Sequence, residues 1–173
     1  MLKRFIPFAH AKSIFEIDLS FFQKLGIKYV FADLDNTLDS YKQATPLDKA
    51  KQLKADLDKL GIELIIVSNN TGARVQKYSK ELGVRHFSSL AKPFSFKLKR
   101  IMKTANIKPE DVVMVGDQTV TDISCANGAK IKSILTDKLV EEDQPTTRFN
   151  RLFDKPLRKK LQKKNLLKDW RQI

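Results

Sequence analysis

The 173-residue sequence contains one cysteine, Cys125, so the chain cannot form an internal disulfide. A protein without disulfides suits a reducing compartment, and we expect this one to be cytoplasmic. The two histidines, His10 and His86, are isolated in the sequence and form no zinc-binding pattern with the single cysteine. No run of about 18 uncharged apolar residues is present, which argues against a membrane-spanning helix.

Glycine is scarce, with six residues in the chain, and none stands in a GxGxxG or GxxxxGK[ST] pattern. Their absence excludes the standard dinucleotide-binding and P-loop motifs. Acidic residues are also outnumbered, by 33 Lys and Arg to 20 Asp and Glu, for a net charge of +13. A field of this sign favours an anionic partner: a nucleic acid, a phosphorylated substrate or an acidic membrane surface.

The positive charge is concentrated at the C-terminal end. Residues 148–173 contain ten Lys or Arg and two Asp, a net charge of +8. We therefore divide the chain into a domain at residues 1–147, which includes the N-terminal segment, and a basic, helical tail at residues 148–173. The tail is interpreted either as a solvated face or as an amphipathic element that docks on a membrane.

Short apolar segments alternate with amphipathic segments along the domain. Because β-branched runs with intervening helices are typical of buried parallel sheets, the pattern predicts an α/β fold of the three-layer, Rossmann-like kind. Its mostly parallel sheet would have helices on both faces. The predicted strands are residues 28–32, 62–67, 84–88, 111–115 and 131–135. The predicted helices are residues 20–25, 46–60, 73–82, 94–105 and 122–126, and Gly128 is expected to end the last of these.

Polar side chains follow the predicted strands where each strand ends. Ligands of open parallel sheets bind outside the carboxyl ends of the strands, so four separate segments should meet in one crevice. Several carboxylates with a hydroxyl and one lysine suit Mg²⁺, which prefers oxygen ligands. The residues expected in the crevice are Asp33, Asp35, Ser68, Asn69, Asn70, Lys92, Asp117, Thr121 and Asp122.

These residue types are sufficient for phosphoryl transfer. One carboxylate can attack phosphorus and form an aspartyl-phosphate, while a metal ion offsets the repulsion between the two anions. A second carboxylate two residues later can protonate the leaving oxygen and then activate water. The lysine can neutralise the phosphoryl oxygens, and a serine hydroxyl can donate a hydrogen bond to them.

Four segments, in order and at matching spacing, resemble the motifs of the haloacid dehalogenase (HAD) superfamily. DLDNTL at residues 33–38 resembles its DxDxT motif, and Ser68 after IIV resembles its second motif. Lys92 in AKP resembles its third motif, and GDQTVTD at residues 116–122 resembles its acidic fourth motif. The likeness covers residues 26–137.

The resemblance implies a role for each matching residue. Asp33 would be the nucleophile and Asp35 the general acid and base. Lys92 would serve in catalysis and, with Ser68 and Asn69, in substrate binding. Asp33, Asp117 and the backbone carbonyl of Asp35 would ligate Mg²⁺. Asp122 would support the ligands from behind or cap a helix, with direct ligation left open.

DLDNTL, GDQTVTD, SIFEID at residues 13–18 and TRFNR at residues 147–151 further resemble the YqeG-like members of HAD subfamily IIIA. That group is related to phosphatidylglycerophosphate phosphatases, which implies an anionic lipid substrate and a peripheral location at the inner face of the membrane. The gaps between motifs hold only a few elements, so no cap domain is expected and the site should be open.

Two alternatives stay open. The basic charge also fits an RNA- or ribosome-binding module with weak catalysis, although no RNA-binding motif supports it and nucleic acid is not the favoured partner. A phosphatase of soluble metabolites, with another subunit as its lid, is the other. The leading hypothesis is an Mg²⁺-dependent phosphomonoester hydrolase.

Overall fold

A computed structural model of the chain describes residues 2–141 and 145–173, with side chains described outside residues 145–149. Six strands form one sheet in the order β1-β6-β5-β2-β3-β4, and every neighbouring pair is parallel. The strands are β1 Ala9–Ala11, β2 Tyr29–Ala32, β3 Glu63–Val67, β4 Arg85–Phe87, β5 Val112–Gly116 and β6 Lys132–Thr136.

Helices follow most of the strands along the chain. The α-helices are α1 Ser20–Lys24, α2 Asp48–Lys59, α3 Ala73–Leu82, α4 Phe96–Thr104, α5 Ser124–Ala129 and α6 Pro145–Lys163. One turn of π-helix, Thr119–Ile123, precedes α5, and short 3-10 turns lie at Leu2–Phe5, Ile14–Glu16, Pro109–Asp111 and Trp170–Gln172.

The sheet is covered on both faces, as the sequence predicts. Alternate residues of the central strand β2 point to two separate apolar cores: Val30 belongs to one and Phe31 to the other. The first core takes in α1, α2 and α3 through residues such as Phe22 and Leu57, and the second takes in α4 and α5. The predicted three-layer α/β fold is therefore confirmed.

The segments between the motifs contain only elements of this layer structure. Residues 38–67 are occupied by a loop, α2 and β3, and residues 69–91 by α3, β4 and a short loop. Across the described residues, neither gap carries a cap domain, in agreement with the prediction.

Two features differ from the sequence prediction. The strand β1 was not expected, because residues 1–20 show no clean period, yet it pairs with β6 at the edge of the sheet. Gly128 does not end α5, which continues to Ala129 and is closed by Lys130 in a left-handed conformation, φ 62°. Gly128 is instead a packing position, since a Cβ there would lie 2.9 Å from the Ser95 hydroxyl.

Helix α6 has a buried face and an exposed face, and its buried residues recur at three- and seven-residue spacing. Arg151, Asp154 and Leu161 are buried. Leu152, Phe153, Lys155 and Lys159 on the other side are exposed. The helix continues through Pro156, which lies on the exposed side, where water can bond the carbonyl that proline leaves without a donor. The division predicted at residue 147 falls inside this helix.

Candidate active site

The predicted catalytic residues meet at the carboxyl edge of the sheet. Asp33 follows β2, and its backbone amide donates to the carbonyl of Val115 on β5, which fixes the carboxylate between the two strands. The chain then turns at Asn36, whose φ of 62° is a left-handed conformation that asparagine tolerates better than most residues. Asp35, directly before this turn, lies at the same edge of the sheet as Asp33.

Lys92 is the centre of a buried ion-pair cluster. Its Nζ donates to Asp33 Oδ1 at 2.6 Å, to Asp122 Oδ1 at 2.7 Å and to the Val67 carbonyl at 3.1 Å. Its side chain is 3% exposed. Burial alone would lower the pKa of Lys92, but Asp122 and Asp33 outweigh it and hold the pKa above its ordinary value. The two aspartates therefore favour the positively charged form of the lysine.

The pKa of Asp33 is raised well above its ordinary value, even though the Lys92 ammonium lies 2.6 Å from its Oδ1. Burial is the largest influence and raises its pKa, Lys92 lowers it, and the nearby Asp122, Asp35 and Asp117 raise it further. A divalent cation at this position would counter the burial and the carboxylate repulsion together.

Three carboxylates are close enough to share an ion. Each of Asp33, Asp117 and Asp122 offers an oxygen within 4.8 Å of the oxygens of the other two. Asp117 Oδ1 is buried and has no hydrogen-bond partner among the described residues. An unsatisfied buried carboxylate oxygen costs free energy unless something binds it. The donor set, all hard oxygens, fits a small divalent cation such as Mg²⁺.

Asp122 holds the backbone of the acidic motif as well as the lysine. Its Oδ2 accepts from the backbone amide of Gln118 at 3.1 Å, a bond back to the residue before the π-helical turn and not a cap of the following helix α5, whose N-cap position is Ile123. Gly116 lies directly against it, because a Cβ at residue 116 would stand 2.4 Å from the Asp122 Cγ. The glycine of the motif is therefore a steric requirement of this contact.

Residues of the second motif, Ser68 and Asn69, form hydrogen bonds that hold the loop around Lys92 of the third motif. Ser68 Oγ accepts from the amide of Asn70 at 3.1 Å, and Ser68 does not cap α3, which begins after Gly72. Asn69 brackets the main chain of Lys92, donating to its carbonyl at 2.9 Å and accepting from its amide at 2.7 Å. Asn69 thus positions the lysine, and its predicted contact with substrate stays a prediction.

Asp35 is bound by two donors. Arg74 Nη1 donates to Oδ1 at 2.6 Å, and Asn70 Nδ2 donates to Oδ2 at 2.7 Å. Arg74 also donates to the carbonyls of Ser40 and Gln43, so it ties the loop after the first motif to the start of α3. Both oxygens of the predicted general acid are therefore oriented by this side of the site.

These groups surround an open polar cavity of about 270 Å³. Its lining includes every predicted catalytic and substrate-binding residue, while Asp117 and Asp122 lie buried behind it. The lining residues are Asp33, Asp35, Ser68, Asn69, Asn70, Lys92, Gln118, Thr121 and Asn150.

Helix α6 also contributes residues to the site. This contribution of the C-terminal helix was not predicted from the sequence. Arg151 donates to the carboxylate and the carbonyl of Asp117. Asp154 accepts from the amides of Thr119 and Val120 at 2.6 and 3.2 Å. Burial raises the pKa of Asp117 to about 6, against the opposing effect of Arg151. The one sequence signal was TRFNR, of which the described side chains are Asn150 and Arg151; residues 147–149 lie outside them.

Arg158 extends this support from α6. It donates to the carbonyls of Asp117 and Thr136 and to Asp137 Oδ1 at 2.8 Å. Asp137 Oδ1 in turn lies 3.2 Å from Nε2 of His10, a residue of the edge strand β1. Three charged residues of the basic segment therefore form contacts within the domain: Arg151, Asp154 and Arg158.

Comparison with known proteins defines the class. The model of the haloacid dehalogenase-like hydrolase family matches residues 2–130, and the chain belongs to that family. It is a phosphatase-type HAD hydrolase. It is 31% identical over 165 residues to the "Probable phosphatase YqeG" of Bacillus subtilis (strain 168), covering 95% of this chain and 96% of that protein.

More distant similarities extend the comparison, and those to solved structures concern the fold. The Arabidopsis thaliana "Phosphatidylglycerophosphate phosphatase 1, chloroplastic/mitochondrial" is 24% identical over 149 residues, which cover 81% of this chain and 43% of that protein. A putative 3-deoxy-D-manno-octulosonate 8-phosphate phosphatase from Vibrio cholerae has the same fold, with a TM-score of 0.52, 17% identity and 91% and 97% of the two chains covered. The cobalt-bound form of a deoxy-D-mannose-octulosonate 8-phosphate phosphatase from Haemophilus influenzae has a TM-score of 0.51 and 18% sequence identity, covering 67% of this chain and 82% of that chain.

Proposed function

We propose that this chain is an Mg²⁺-dependent phosphomonoester hydrolase that works through an aspartyl-phosphate on Asp33. The observation that carries the proposal is the convergence of Asp33, Asp35 and Lys92 on one cavity, with Asp117 and Asp122 behind it. Asp33, Asp117 and the carbonyl of Asp35 would hold the cation, with Asp122 as a further candidate ligand. Mg²⁺ would neutralise charge between the nucleophile and the phosphoryl group.

The reaction divides into two displacements at phosphorus. In the first, an Asp33 oxygen forms a bond to phosphorus while the bond to the ester oxygen breaks, and Asp35 gives that oxygen a proton. In the second, Asp35 takes a proton from water, the water oxygen attacks phosphorus and the bond to Asp33 breaks. Inorganic phosphate leaves, and both carboxylates return to their starting forms.

The other residues of the cavity stabilise the transferring group. In this proposal the Lys92 ammonium would neutralise the equatorial oxygens, and the Ser68 hydroxyl would donate a hydrogen bond to them, as charge develops. Asn69 keeps Lys92 in place through its main chain. Because Arg74 and Asn70 hold both oxygens of Asp35, one of these contacts must open for the carboxyl to reach the leaving oxygen.

For the substrate we propose the terminal phosphate of an anionic lipid head group, phosphatidylglycerophosphate being the leading candidate. The sequence similarity to the plant phosphatase of that name supports it, as do the net charge of +13 and the uncapped site. No helix among the described residues is long and apolar enough to cross a membrane. The enzyme would then act on the lipid from the cytoplasmic side, as a peripheral protein.

Phosphate release from a panel of substrates tests the proposal. Turnover should require Mg²⁺, stop on chelation and be lost in Asp33→Asn. Release from phosphatidylglycerophosphate vesicles should exceed release from soluble sugar phosphates, nucleotides and phosphopeptides. Higher rates on a soluble ester would reject the lipid assignment alone, and full activity of Asp33→Asn would reject the mechanism. RNA binding that persists in Asp33→Asn, without turnover on any ester, would favour the RNA-binding alternative.

A further inference from the structure

The most exposed apolar side chains lie within a few residues, in the sequence, of residues that line the cavity. Of the eight large hydrophobic residues exposed in the described part of the chain, the four most exposed are Phe94, Phe96, Leu152 and Phe153, at 57% to 69%. Phe94 and Phe96 follow Lys92 by two and four residues, and Leu152 and Phe153 follow Asn150 by two and three. Lys92 and Asn150 both line the cavity. We name Phe94, Phe96, Leu152 and Phe153 the apolar rim.

Three further exposed residues lie at the same edge of the sheet. Leu47 precedes α2, and its amide donates to Asp39 of the first loop. The amides of Leu139 and Val140 both donate to Asn36, next to Asp35. Only Ile173, the last of the eight, neighbours no residue of this edge in the sequence. Exposed apolar residues grouped on one part of a surface are typical of a surface that contacts another phase or molecule.

Cations flank the two halves of the rim. Lys99 and Arg100 are exposed on α4 beyond Phe96, and Lys155 and Lys159 are exposed on α6 beyond Phe153. A groove between the first 3-10 turn and α6 repeats the combination, with Leu2, Phe5 and Leu157 beside Lys160 and Lys164. Apolar tips surrounded by lysines match an anionic bilayer, whose acyl boundary accepts the rings and whose phosphates pair with the cations.

We infer that the apolar rim docks this enzyme on an anionic lipid surface with the cavity facing the bilayer. The rings would enter the boundary between head groups and acyl chains, and the phosphate of a lipid would then stand at the depth of Lys92. The net charge of +13 favours an anionic lipid surface over an uncharged protein partner. The inference rests on the proposed function for its substrate, but the docking itself requires no turnover.

Sedimentation of the full chain with vesicles, in the absence of substrate, tests the docking. We expect binding to phosphatidylglycerol-rich vesicles, little binding to phosphatidylcholine vesicles, and weakening as salt is raised. The double variants Phe94→Ser/Phe96→Ser and Leu152→Ser/Phe153→Ser should each bind at least about tenfold more weakly, because each loses apolar area from the lipid. Ile173→Ser, an exposed apolar change elsewhere, should bind as the parent does.

Circular dichroism and thermal unfolding report whether the variants fold, and both should be unchanged. If one serine variant does not fold, the other decides: weaker vesicle binding by the folded variant supports the docking, and unchanged binding overturns it. Equal vesicle binding by parent and rim variants also overturns it, as does a rim-dependent change in oligomeric mass without vesicle binding, which would make the face a protein interface.

The two proposals fail separately in these experiments. A chain that binds anionic vesicles through the rim but hydrolyses no phosphate ester would reject the proposed function and leave the docking intact. A chain that hydrolyses esters and ignores vesicles would reject the docking alone.

Discussion

Arg151 donates hydrogen bonds to both the carboxylate and the main-chain carbonyl of Asp117, and so joins helix α6 to the end of strand β5. The arginine side chain is 9% exposed and the aspartate side chain is fully buried. The segment with the greatest excess of positive charge therefore supplies an internal counter-ion to the acidic motif.

Removing this counter-ion should destabilise the protein. Arg151→Met leaves the buried Asp117 carboxylate without its cation, and loss of one partner of a buried pair costs about 3 kcal/mol or more in unfolding free energy. Urea denaturation without metal measures it. Lys155→Met, on the exposed side of the same helix, is the matched control and should change the value by less than about 0.5 kcal/mol. Equal effects of the two changes would contradict a structural role for the pair.

The contact of Gly116 with Asp122 predicts intolerance of a single methyl group. In Gly116→Ala the new Cβ would overlap the Asp122 side chain, which is held from both sides by Lys92 and Gln118, so we expect a loss of about 1–3 kcal/mol in unfolding free energy. Gly72→Ala is the control, because its nearest neighbour would be 3.9 Å away. Thermal unfolding compares the two, and a neutral Gly116→Ala would show that the acidic motif can relax.

Arg74 should act on catalysis through Asp35. Arg74→Met frees one oxygen of Asp35 and the loop at Ser40 and Gln43, so we expect kcat to fall about ten- to a hundredfold with a smaller change in KM. Lys77→Met, which breaks only an exposed contact with Glu81 on the same helix, should leave both constants unchanged. A rise in KM with kcat intact would assign Arg74 to substrate binding instead of positioning.

The elements that the sequence predicted are those with strong local patterns. Consecutive apolar residues identified β2, β3 and β5, and apolar residues recurring on one helical face identified α2 and α4. The short strand β1 was missed because its pairing with β6 is made by residues more than 120 positions away and leaves no local period. Arg74 and Arg151 were missed for the same reason, since their partners are 39 and 34 residues distant in the chain.

The four motifs were sufficient to predict which side chains meet at one edge of the sheet, because strand ends in a parallel sheet face the same way. They were not sufficient to show how those side chains are held. Two sets of contacts depend on loop conformations that motif spacing does not predict. Asn69 binds the main chain of Lys92, and Asp122 bonds both Lys92 and Gln118.

Cys125 should be chemically inert in the folded protein. Burial raises the pKa of its thiol to about 11, so at about pH 8 the reactive thiolate is a very small fraction. Alkylation should be slow without denaturant and fast in it. Since the folded pKa is raised, the thiol stabilises the fold at lower pH, and this contribution is lost as the pH rises through about 11. Rapid alkylation of native protein at neutral pH would contradict this burial.

The chemistry assigned to Asp33 is tested most directly by trapping the covalent intermediate. Enzyme mixed with a substrate labelled in its phosphoryl group and quenched in acid within one turnover should carry label on Asp33, found by peptide mapping and removed by hydroxylamine. Asp33→Asn should carry none, and its turnover should fall by more than about a thousandfold. An unlabelled parent enzyme that nevertheless turns over in a burst, or an equally labelled Asp33→Asn, would contradict the account.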